Sequence, residues 1–190
     1  GNDGATVPGV QVGEAKGKPH AERSFGPVAV KVSELLNRPV AFHEDSVGAK
    51  VEKAARDLRP GEIMMLENIR FHQEELDNDP DFAKQLAKLG EIYVNDAFAV
   101  DHRDQASVSG VAKYLPAVAG LLVEQEVNHI KGALDKPNRP LVAIIGGAKV
   151  STKIEVLNNL IPKVDVMLLG GAMANTFFLA QGKPIGKSLA

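Results

Sequence analysis

Cysteine is absent from this sequence of 190 residues, so a disulfide framework and a thiolate metal site are both excluded. No apolar run is long enough to cross a bilayer, and no secretory signal is visible. The formal net charge is only -2, which provides no basic field for nucleic acid. The composition therefore predicts a soluble cytoplasmic protein that binds neither membrane nor nucleic acid.

Hydrophobic residues make up 44% of the chain, which suffices for one large domain or two small domains with a buried core. The first residue is not methionine, and residues 186–190 begin a loop or strand that nothing closes. We therefore expect a piece of a longer protein. Residues 1–19 are rich in glycine and polar residues without periodicity, which predicts an irregular lead-in.

A short apolar run ends in a pair of glycines in the second half of the chain. Residues 141–145 are apolar and rich in β-branched types, which is typical of a buried parallel strand. Gly146 and Gly147 follow and let the backbone turn close to a ligand without a Cβ in the way. This pattern favours a ligand site at the end of the strand.

Two lysines, Lys149 and Lys153, stand beside the helix that follows. Thr152 and Glu155 fit a capping box at its start, and the amides of a helix start favour anions. The lysines would add two cations where phosphate oxygens would lie. The alternative is a tight strand-to-helix turn with solvated lysines, and the spacing alone leaves both interpretations open.

A second unit of the same kind follows at once, with a strand at 164–169 and a helix at 172–181. Gly170 and Gly171 join them. Because parallel sheets bind ligands at the carboxyl ends of their strands, both glycine pairs are predicted to border one pocket. Alternatively, Gly170 and Gly171 only allow close packing of the helix.

The first half also alternates helices and strands, which predicts an α/β arrangement. The pattern predicts helices at 28–36, 47–58 and 81–89, and strands at 40–43, 63–66 and 92–94. A long helix is predicted at 116–134, extending roughly 28 Å, and it joins the two halves.

Polar side chains follow the predicted strands of the first half, and two of them are the arginines Arg70 and Arg103. In a parallel sheet these fall on one rim, where guanidinium groups could converge on an anionic small molecule. The alternative is that each arginine forms a surface salt bridge. His72 and His102 suggest acid/base chemistry, yet no set of nucleophile, base and orienting residue is present. The acidic run 73–77 is predicted to be a solvated turn, and no metal ligands are predicted.

At these motifs the chain resembles phosphoglycerate kinase. The motifs that carry the resemblance occur in family order: 66–71 (LENIRF), 93–98 (YVNDAF), 102–103 (HR), 114–120 (YLPAVAG), 146–153 (GGAKVSTK) and 170–177 (GGAMANTF). The likeness extends from about residue 13 to residue 190 and covers the middle of a family chain.

The resemblance implies reversible phosphoryl transfer between 1,3-bisphosphoglycerate and ADP, giving 3-phosphoglycerate and ATP, with Mg²⁺ as the cofactor. It implies that Arg70 and Arg103 hold the phosphoglycerate and that Lys149 stabilises the transferring phosphoryl group. Lys153 resembles the lysine that holds the nucleotide phosphates. Similarly, the nucleotide pocket would be lined by residues at four glycine and alanine positions, which are Gly147, Ala148, Gly170 and Gly171.

The resemblance further implies two incomplete lobes with parallel, Rossmann-like three-layer sheets, joined by an interdomain helix. We expect a phosphoglycerate-binding lobe at 20–115, the helix at 116–136 and the start of a nucleotide-binding lobe at 137–190. Family members close these lobes about the helix, and the complete protein is expected to be a monomer.

The sequence also departs from the family pattern. Glu14 stands where a substrate-binding arginine belongs, and the upstream Asp-Phe-Asn motif is not present. The ribose-binding glutamate, the Gly-Gly-Asp phosphate loop and the magnesium-positioning aspartate lie beyond the last residue. We expect the segment alone to be inactive. The alternatives are a degenerate, non-catalytic homologue that binds a nucleotide or another anion, and a folding fragment that pairs with its missing pieces.

Overall fold

The computed structural model describes residues 15–190 and shows an α/β arrangement of short parallel strand pairs. Its helices are α1 Gly26–Leu36, α2 Ala49–Asp57, α3 Gln73–Leu76, α4 Pro80–Ala87, α5 Leu121–Asp135, α6 Ile154–Leu160 and α7 Ala172–Ala180. Its strands are β1 Val40–His43, β2 Ile63–Leu66, β3 Tyr93–Asn95, β4 Ala117–Ala119, β5 Val142–Gly146 and β6 Val166–Gly170. Shorter helical turns are the 3-10 helices Ala21–Arg23, Ile69–Phe71, Phe98–Val100 and Val111–Lys113 and the π-helix Ala106–Gly110.

The chain forms two compact units whose boundary falls between Glu124 and Gln125, inside α5. Glu14 and most of the predicted lead-in lie outside the described residues. Within residues 15–190, no helix combines the length and the apolar character that crossing a membrane requires.

The first unit is organised around β2, which is buried on both faces. Its strand neighbour β1 pairs with it in parallel, from Val40 opposite Ile63 to the last residue of each strand. Met65 packs with Phe25 and the start of α1 on one face, whereas its neighbours on β2 pack with α2 on the other. Helices therefore cover both sides of this strand pair, as the predicted three-layer arrangement requires.

Helix α5 begins at Leu121, so the prediction of a helix from residue 116 is wrong at its start. Residues 117–119 instead form β4, which pairs in parallel with β3. The helix starts where the Asp96 carboxylate accepts hydrogen bonds from the backbone N–H groups of Leu122 (2.6 Å) and Val123 (3.2 Å). Asp96 thus caps a helix from a different segment of the chain.

Replacing this cap is the first testable consequence of the fold. Asp96→Ala removes the acceptor for two N–H groups and is expected to lower the free energy of unfolding by about 1–2 kcal/mol. Both tyrosines, Tyr93 and Tyr114, lie in the first unit, so tyrosine fluorescence during urea unfolding follows that unit alone.

The matched control is Glu91→Ala, which removes an exposed carboxylate of the same unit just before β3. Its removal should change the free energy of unfolding by no more than about 0.5 kcal/mol. Equal losses in both variants would contradict the capping role of Asp96.

The second unit contains β5 and β6, which pair in parallel from Val142 opposite Val166 to Gly146 opposite Gly170. The Asp165 carboxylate fixes the entry to this pair, because it accepts hydrogen bonds from Leu141 N–H (2.6 Å) and the Arg139 guanidinium (2.9 Å). These two bonds lower the pKa of Asp165 below its ordinary value, the contact with Arg139 contributing most. One face of the strand pair remains exposed through four apolar side chains, which are Val142, Ile144, Val166 and Leu168.

Candidate functional site

The two glycine pairs meet at the carboxyl edge of β5 and β6, as their positions in the sequence predicted. Gly146 lies opposite Gly170 in the register, and the Gly147 carbonyl accepts a hydrogen bond from Met173 N–H (2.9 Å) at the start of α7. A Cβ on Gly171 would lie 3.0 Å from the Gly147 carbonyl oxygen. Close backbone packing therefore accounts for Gly171.

Close packing does not account for Gly146 and Gly170, the last residues of the two strands. A Cβ on Gly170 would meet no atom of the described residues within 4 Å, and one on Gly146 would meet only the Gly170 carbonyl oxygen at 4.0 Å. The backbone is thus open on this side of the strand ends. Such an edge lets a ligand approach peptide groups directly, where a larger side chain would keep it away.

Gly171 carries a backbone conformation that other residues rarely adopt, with φ +67° and ψ -165°. Gly171→Ala places a side chain in that region and against Gly147, so we expect the second unit to lose about 2–3 kcal/mol of stability. Gly182→Ala is the control: its φ is +72°, but no atom lies within 4 Å of the new Cβ, so a loss of about 1 kcal/mol is expected. Hydrogen exchange of the β5 and β6 amides measures both, and equal losses would argue against the contact with Gly147.

The two lysines of the loop after β5 differ in exposure. Lys153 is half-buried, and its Cε lies 3.2 Å from the position of a Cβ on Gly147. Its aliphatic side chain therefore passes beside the strand ends formed by Gly146, Gly147 and Gly170, which we call the glycine edge. Lys149 is exposed. Neither ammonium forms an ion pair with a carboxylate of residues 15–190. Both positive charges are therefore available to an anion.

The capping box predicted from Thr152 and Glu155 is wrong. Lys153 is the N-cap of α6 and makes no side-chain cap, and the Thr152 hydroxyl instead donates to the Lys149 carbonyl (3.0 Å). The backbone turns through residues 150–153 before the helix begins, so the Thr152 hydroxyl closes that turn and lies too early to reach the helix amides. Ala148 is exposed in the same loop.

Arg70 is buried, so it is not the surface salt-bridge residue that one interpretation of the sequence allowed. It lies on the 3-10 helix directly after β2 and is only 5% exposed. Its N–H donates to the Asn68 side chain (3.1 Å), and its carbonyl accepts from Gly17 N–H (3.1 Å). The Arg70 guanidinium donates to Gln105 Oε1 at 3.5 Å, which places it against the segment that contains the second arginine.

Arg103 is half-buried and precedes Gln105 by two residues. Its backbone N–H donates to the Val100 carbonyl (2.9 Å), which fixes the turn after β3. Its Nε is buried and has no hydrogen-bond acceptor among residues 15–190. A buried donor without a partner is costly, so this guanidinium is suited to an anionic ligand that supplies the missing acceptor. His102 beside it is exposed.

A buried carboxylate, Glu75, lies beside these arginines, and the sequence did not predict it. Residues 73–77 were expected to form a solvated turn, but Glu75 is fully buried on α3. Its two oxygens accept hydrogen bonds from Ser107 N–H (2.8 Å) and the Ser107 hydroxyl (2.7 Å). The Tyr93 hydroxyl donates to the Ser107 carbonyl (2.8 Å). No local signal could have found this network, because its partners are 14 to 32 residues apart.

Burial raises the pKa of Glu75 above its ordinary value, and the bonds from Ser107 and the charge of Arg70 oppose that rise. Burial also raises the pKa of Tyr93 to about 12, so the Tyr93 phenol remains a hydrogen-bond donor at neutral pH.

The raised pKa of Glu75 predicts a pH dependence of stability. Between the ordinary and the raised pKa the folded state binds more protons than the unfolded state, so the free energy of unfolding falls as pH rises through that window. Glu75→Gln cannot titrate and should lack this decline. The measurement is urea unfolding, followed by tyrosine fluorescence, of both proteins from about pH 4 to about pH 7. A wild-type curve that runs parallel to the Glu75→Gln curve would contradict the shift.

A cavity of about 380 Å³ opens where β1 and β2 end, as expected for a common rim. His72 Nε2 lies 3.2 Å from Asp45 Oδ1, and its ring contacts Phe82 with centroids 5.0 Å apart. The Glu67 carboxylate accepts hydrogen bonds from other groups of the protein, including Phe25 N–H (2.8 Å). The cavity is lined by Pro19, His20, Ala21, Ser24, Glu44, Asp45, Glu67, Phe71 and His72. His72 is thus held by Asp45 and Phe82 at the wall of this cavity.

The donor set of the described residues does not fit magnesium. No group of three or more His, Cys, Asp or Glu side chains in residues 15–190 is arranged to hold a metal ion. Magnesium is usually held by one or two carboxylates together with phosphate oxygens and water, whereas the loop 147–153 presents lysines and hydroxyl groups.

The fold and its open strand ends define a parallel α/β protein of the kind that binds ligands at the carboxyl edge of its sheets. Comparison with known proteins then shows the family, since the family model described as phosphoglycerate kinase matches residues 3–190. The chain belongs to the phosphoglycerate kinase family.

Similar proteins of this family come from several organisms. The chain is 57% identical to phosphoglycerate kinase of Chlorobium phaeobacteroides (strain DSM 266) over 179 residues, which cover 94% of the chain and 45% of that protein. It is 55% identical over 178 residues to the enzyme of Moorella thermoacetica, with the same coverage. The chain spans about half the length of the curated relatives it matches.

Solved structures of the family are similar as well. Phosphoglycerate kinase from Coxiella burnetii superposes with a TM-score of 0.76 at 42% identity, covering 98% of this chain and 46% of that one. The structure from Pyrococcus horikoshii also gives a TM-score of 0.76, at 34% identity and with coverage of 95% and 46%. The predicted fold class is confirmed, and lobes that are each incomplete agree with these coverages.

Proposed function

We propose that this chain is the central segment of a phosphoglycerate kinase that transfers a phosphoryl group reversibly between 1,3-bisphosphoglycerate and ADP. The products of the forward reaction are 3-phosphoglycerate and ATP. Family membership supports the reaction class. No observation favours the alternative of a non-catalytic homologue.

The observation that carries the proposal is the glycine edge with its two lysines, Lys149 and Lys153, which form no ion pair with a carboxylate of residues 15–190. Phosphoryl transfer needs placement and neutralisation of charge more than it needs covalent chemistry, and free ammonium groups beside an open backbone supply both. In this proposal Lys153 holds the nucleotide phosphates and Lys149 stabilises the phosphoryl group in transfer. The pocket wall is formed by the small residues at the strand ends, which are Gly147, Ala148, Gly170 and Gly171.

The first unit would bind the phosphoglycerate through Arg70 and Arg103. The support is the contact of Arg70 with Gln105, which brings the two arginine segments side by side, and the Arg103 Nε that lacks a protein acceptor. A ligand with a carboxylate at one end and a phosphate at the other could engage both guanidinium groups.

We assign residues 20–115 to the phosphoglycerate-binding lobe, 116–136 to the interdomain connection and 137–190 to the start of the nucleotide-binding lobe. The complete protein would act as a cytoplasmic monomer. Because the described residues do not form a magnesium site, Mg²⁺ would arrive bound to the phosphates of ATP or ADP.

Calorimetric titration of the chain with 3-phosphoglycerate and, separately, with ATP tests the proposal. Arg103→Ala should abolish the heat of 3-phosphoglycerate binding and leave that of ATP, and Lys153→Ala should do the reverse. Binding of neither ligand, or loss of both in either variant, would contradict the assignment of separate sites.

A further inference from the structure

We propose that Glu75 is a positioning residue that holds the two arginine-bearing segments, 68–71 and 103–107, at the spacing a two-ended anion requires. The proposal rests on the proposed function of Arg70 and Arg103. It adds a residue that would not touch the ligand and would act by fixing the groups that do.

Glu75 is joined to Ser107 by two hydrogen bonds, one to each oxygen of its carboxylate, and we call this connection the tether. Glu75 Oε2 accepts from Ser107 N–H (2.8 Å) and Oε1 accepts from the Ser107 hydroxyl (2.7 Å), so the side chain cannot rotate without losing a bond. Ser107 is held from its other side by the hydroxyl of Tyr93, which donates to its carbonyl (2.8 Å). The segment after Arg103 is thereby fixed between α3 and β3.

The opposite end of the tether is close to Arg70. Only three residues separate the 3-10 helix that carries Arg70 from Glu75, and Gly17 N–H donates to the Arg70 carbonyl (3.1 Å). The Arg70 charge acts on the Glu75 carboxylate, and the Arg70 guanidinium reaches Gln105 at 3.5 Å. Glu75 and Arg70 therefore both form hydrogen bonds with the segment 105–107, and they do so from neighbouring positions.

Burial of the Glu75 carboxylate is unfavourable in itself. Its desolvation costs free energy, and an apolar side chain of similar volume would avoid that cost. An apolar side chain could not, however, accept the two donors of Ser107, and that segment would lose its fixed orientation. The gain from the carboxylate is therefore geometric, and it acts on the two arginines that the segments carry.

The experiment separates the tether from the charge by titrating the full 190-residue chain with 3-phosphoglycerate and with inorganic phosphate. Glu75→Ala removes both tether and charge. Glu75→Gln removes the charge only, because its amide can accept from Ser107 N–H and donate to the Ser107 oxygen. Glu74→Ala changes an exposed carboxylate on the same short helix and is the control.

Glu75→Ala is expected to weaken 3-phosphoglycerate binding about ten-fold or more, as for one lost hydrogen bond to a charged group. Its affinity for inorganic phosphate should not fall, because a single phosphate does not sense the distance between the arginines. Glu75→Gln should restore 3-phosphoglycerate binding, and Glu74→Ala should match the wild type. Should Glu75→Ala fail to fold, Ser107→Ala removes one of the two bonds and should show a smaller change in the same ratio.

Three results would overturn the inference while leaving the proposed function standing. These are an unchanged affinity of Glu75→Ala for 3-phosphoglycerate, an equal loss for both ligands, and a loss in Glu75→Gln as large as that in Glu75→Ala. If the wild-type chain binds no 3-phosphoglycerate, or if Arg103→Ala binds it equally well, the proposed function fails and the inference fails with it.

Discussion

Lys149→Ala, made in a full-length phosphoglycerate kinase that carries this segment, is expected to lower kcat by about 10²–10³-fold, or ~3–4 kcal/mol. The reason is the state of the lysine in the structure: Lys149 is exposed, has no carboxylate partner within residues 15–190 and follows the open glycine edge. A cation held there would stabilise charge that spreads over the phosphoryl oxygens in the transition state. Loss of that charge should therefore reduce kcat more than nucleotide affinity.

Steady-state kinetics with both substrates measures this effect. Lys163→Ala is the matched control, since Lys163 is another exposed lysine of the same unit and lies after α6. Its kcat should equal that of the wild type. A Lys149→Ala enzyme that retains near-normal kcat would overturn the role assigned to this lysine.

Phe25→Ala is expected to lower the free energy of unfolding of the first unit by about 3–5 kcal/mol. The Phe25 ring is fully buried and packs with Ala29 and Met65, and its N–H donates to Glu67 at the end of β2 (2.8 Å). Removal of the ring leaves a cavity against the strand that leads into Arg70. The substitution should therefore destabilise the segments that carry Arg70 and Arg103 as well as the core.

Urea unfolding followed by tyrosine fluorescence measures the first unit selectively, because both tyrosines lie there. Leu35→Ala is the control: its side chain is 74% exposed on α1 in the same unit, so a change of about 1 kcal/mol or less is expected. A similar small change for Phe25→Ala would show that the Phe25 cluster does not stabilise β2.

Local patterns in the sequence predicted the elements whose residues carry their own signal. The strands at 40–43 and 63–66 are confirmed residue for residue, because their apolar runs are bounded by turn residues. The helix predicted at 81–89 is observed at Pro80–Ala87, starting where Asp79 accepts from two backbone N–H groups. The two glycine pairs also lie at the same edge of the strand pair, as predicted, because successive βα units pair in parallel.

The features that the sequence did not predict depend on contacts between distant segments. β4 has the composition of a helix start, and it is a strand because β3 lies beside it. The capping role of Asp96 and the burial of Glu75 both require partners 26 or more residues away. The site roles of Lys149, Arg70 and Arg103 remain predictions that the binding and kinetic experiments test.

The exposed face of β5 and β6 has a consequence for the behaviour of the chain in solution. Its four apolar side chains, 45–76% exposed, form one continuous patch on a strand pair whose outer backbone edges are unpaired within residues 15–190. Copies of the chain should attract each other through this patch, giving a negative second virial coefficient that sulfate makes more negative and urea brings toward zero. Protein concentration and sulfate would thus determine how soon the chain aggregates. Ile144→Lys would slow that aggregation, because it places a charge in the patch.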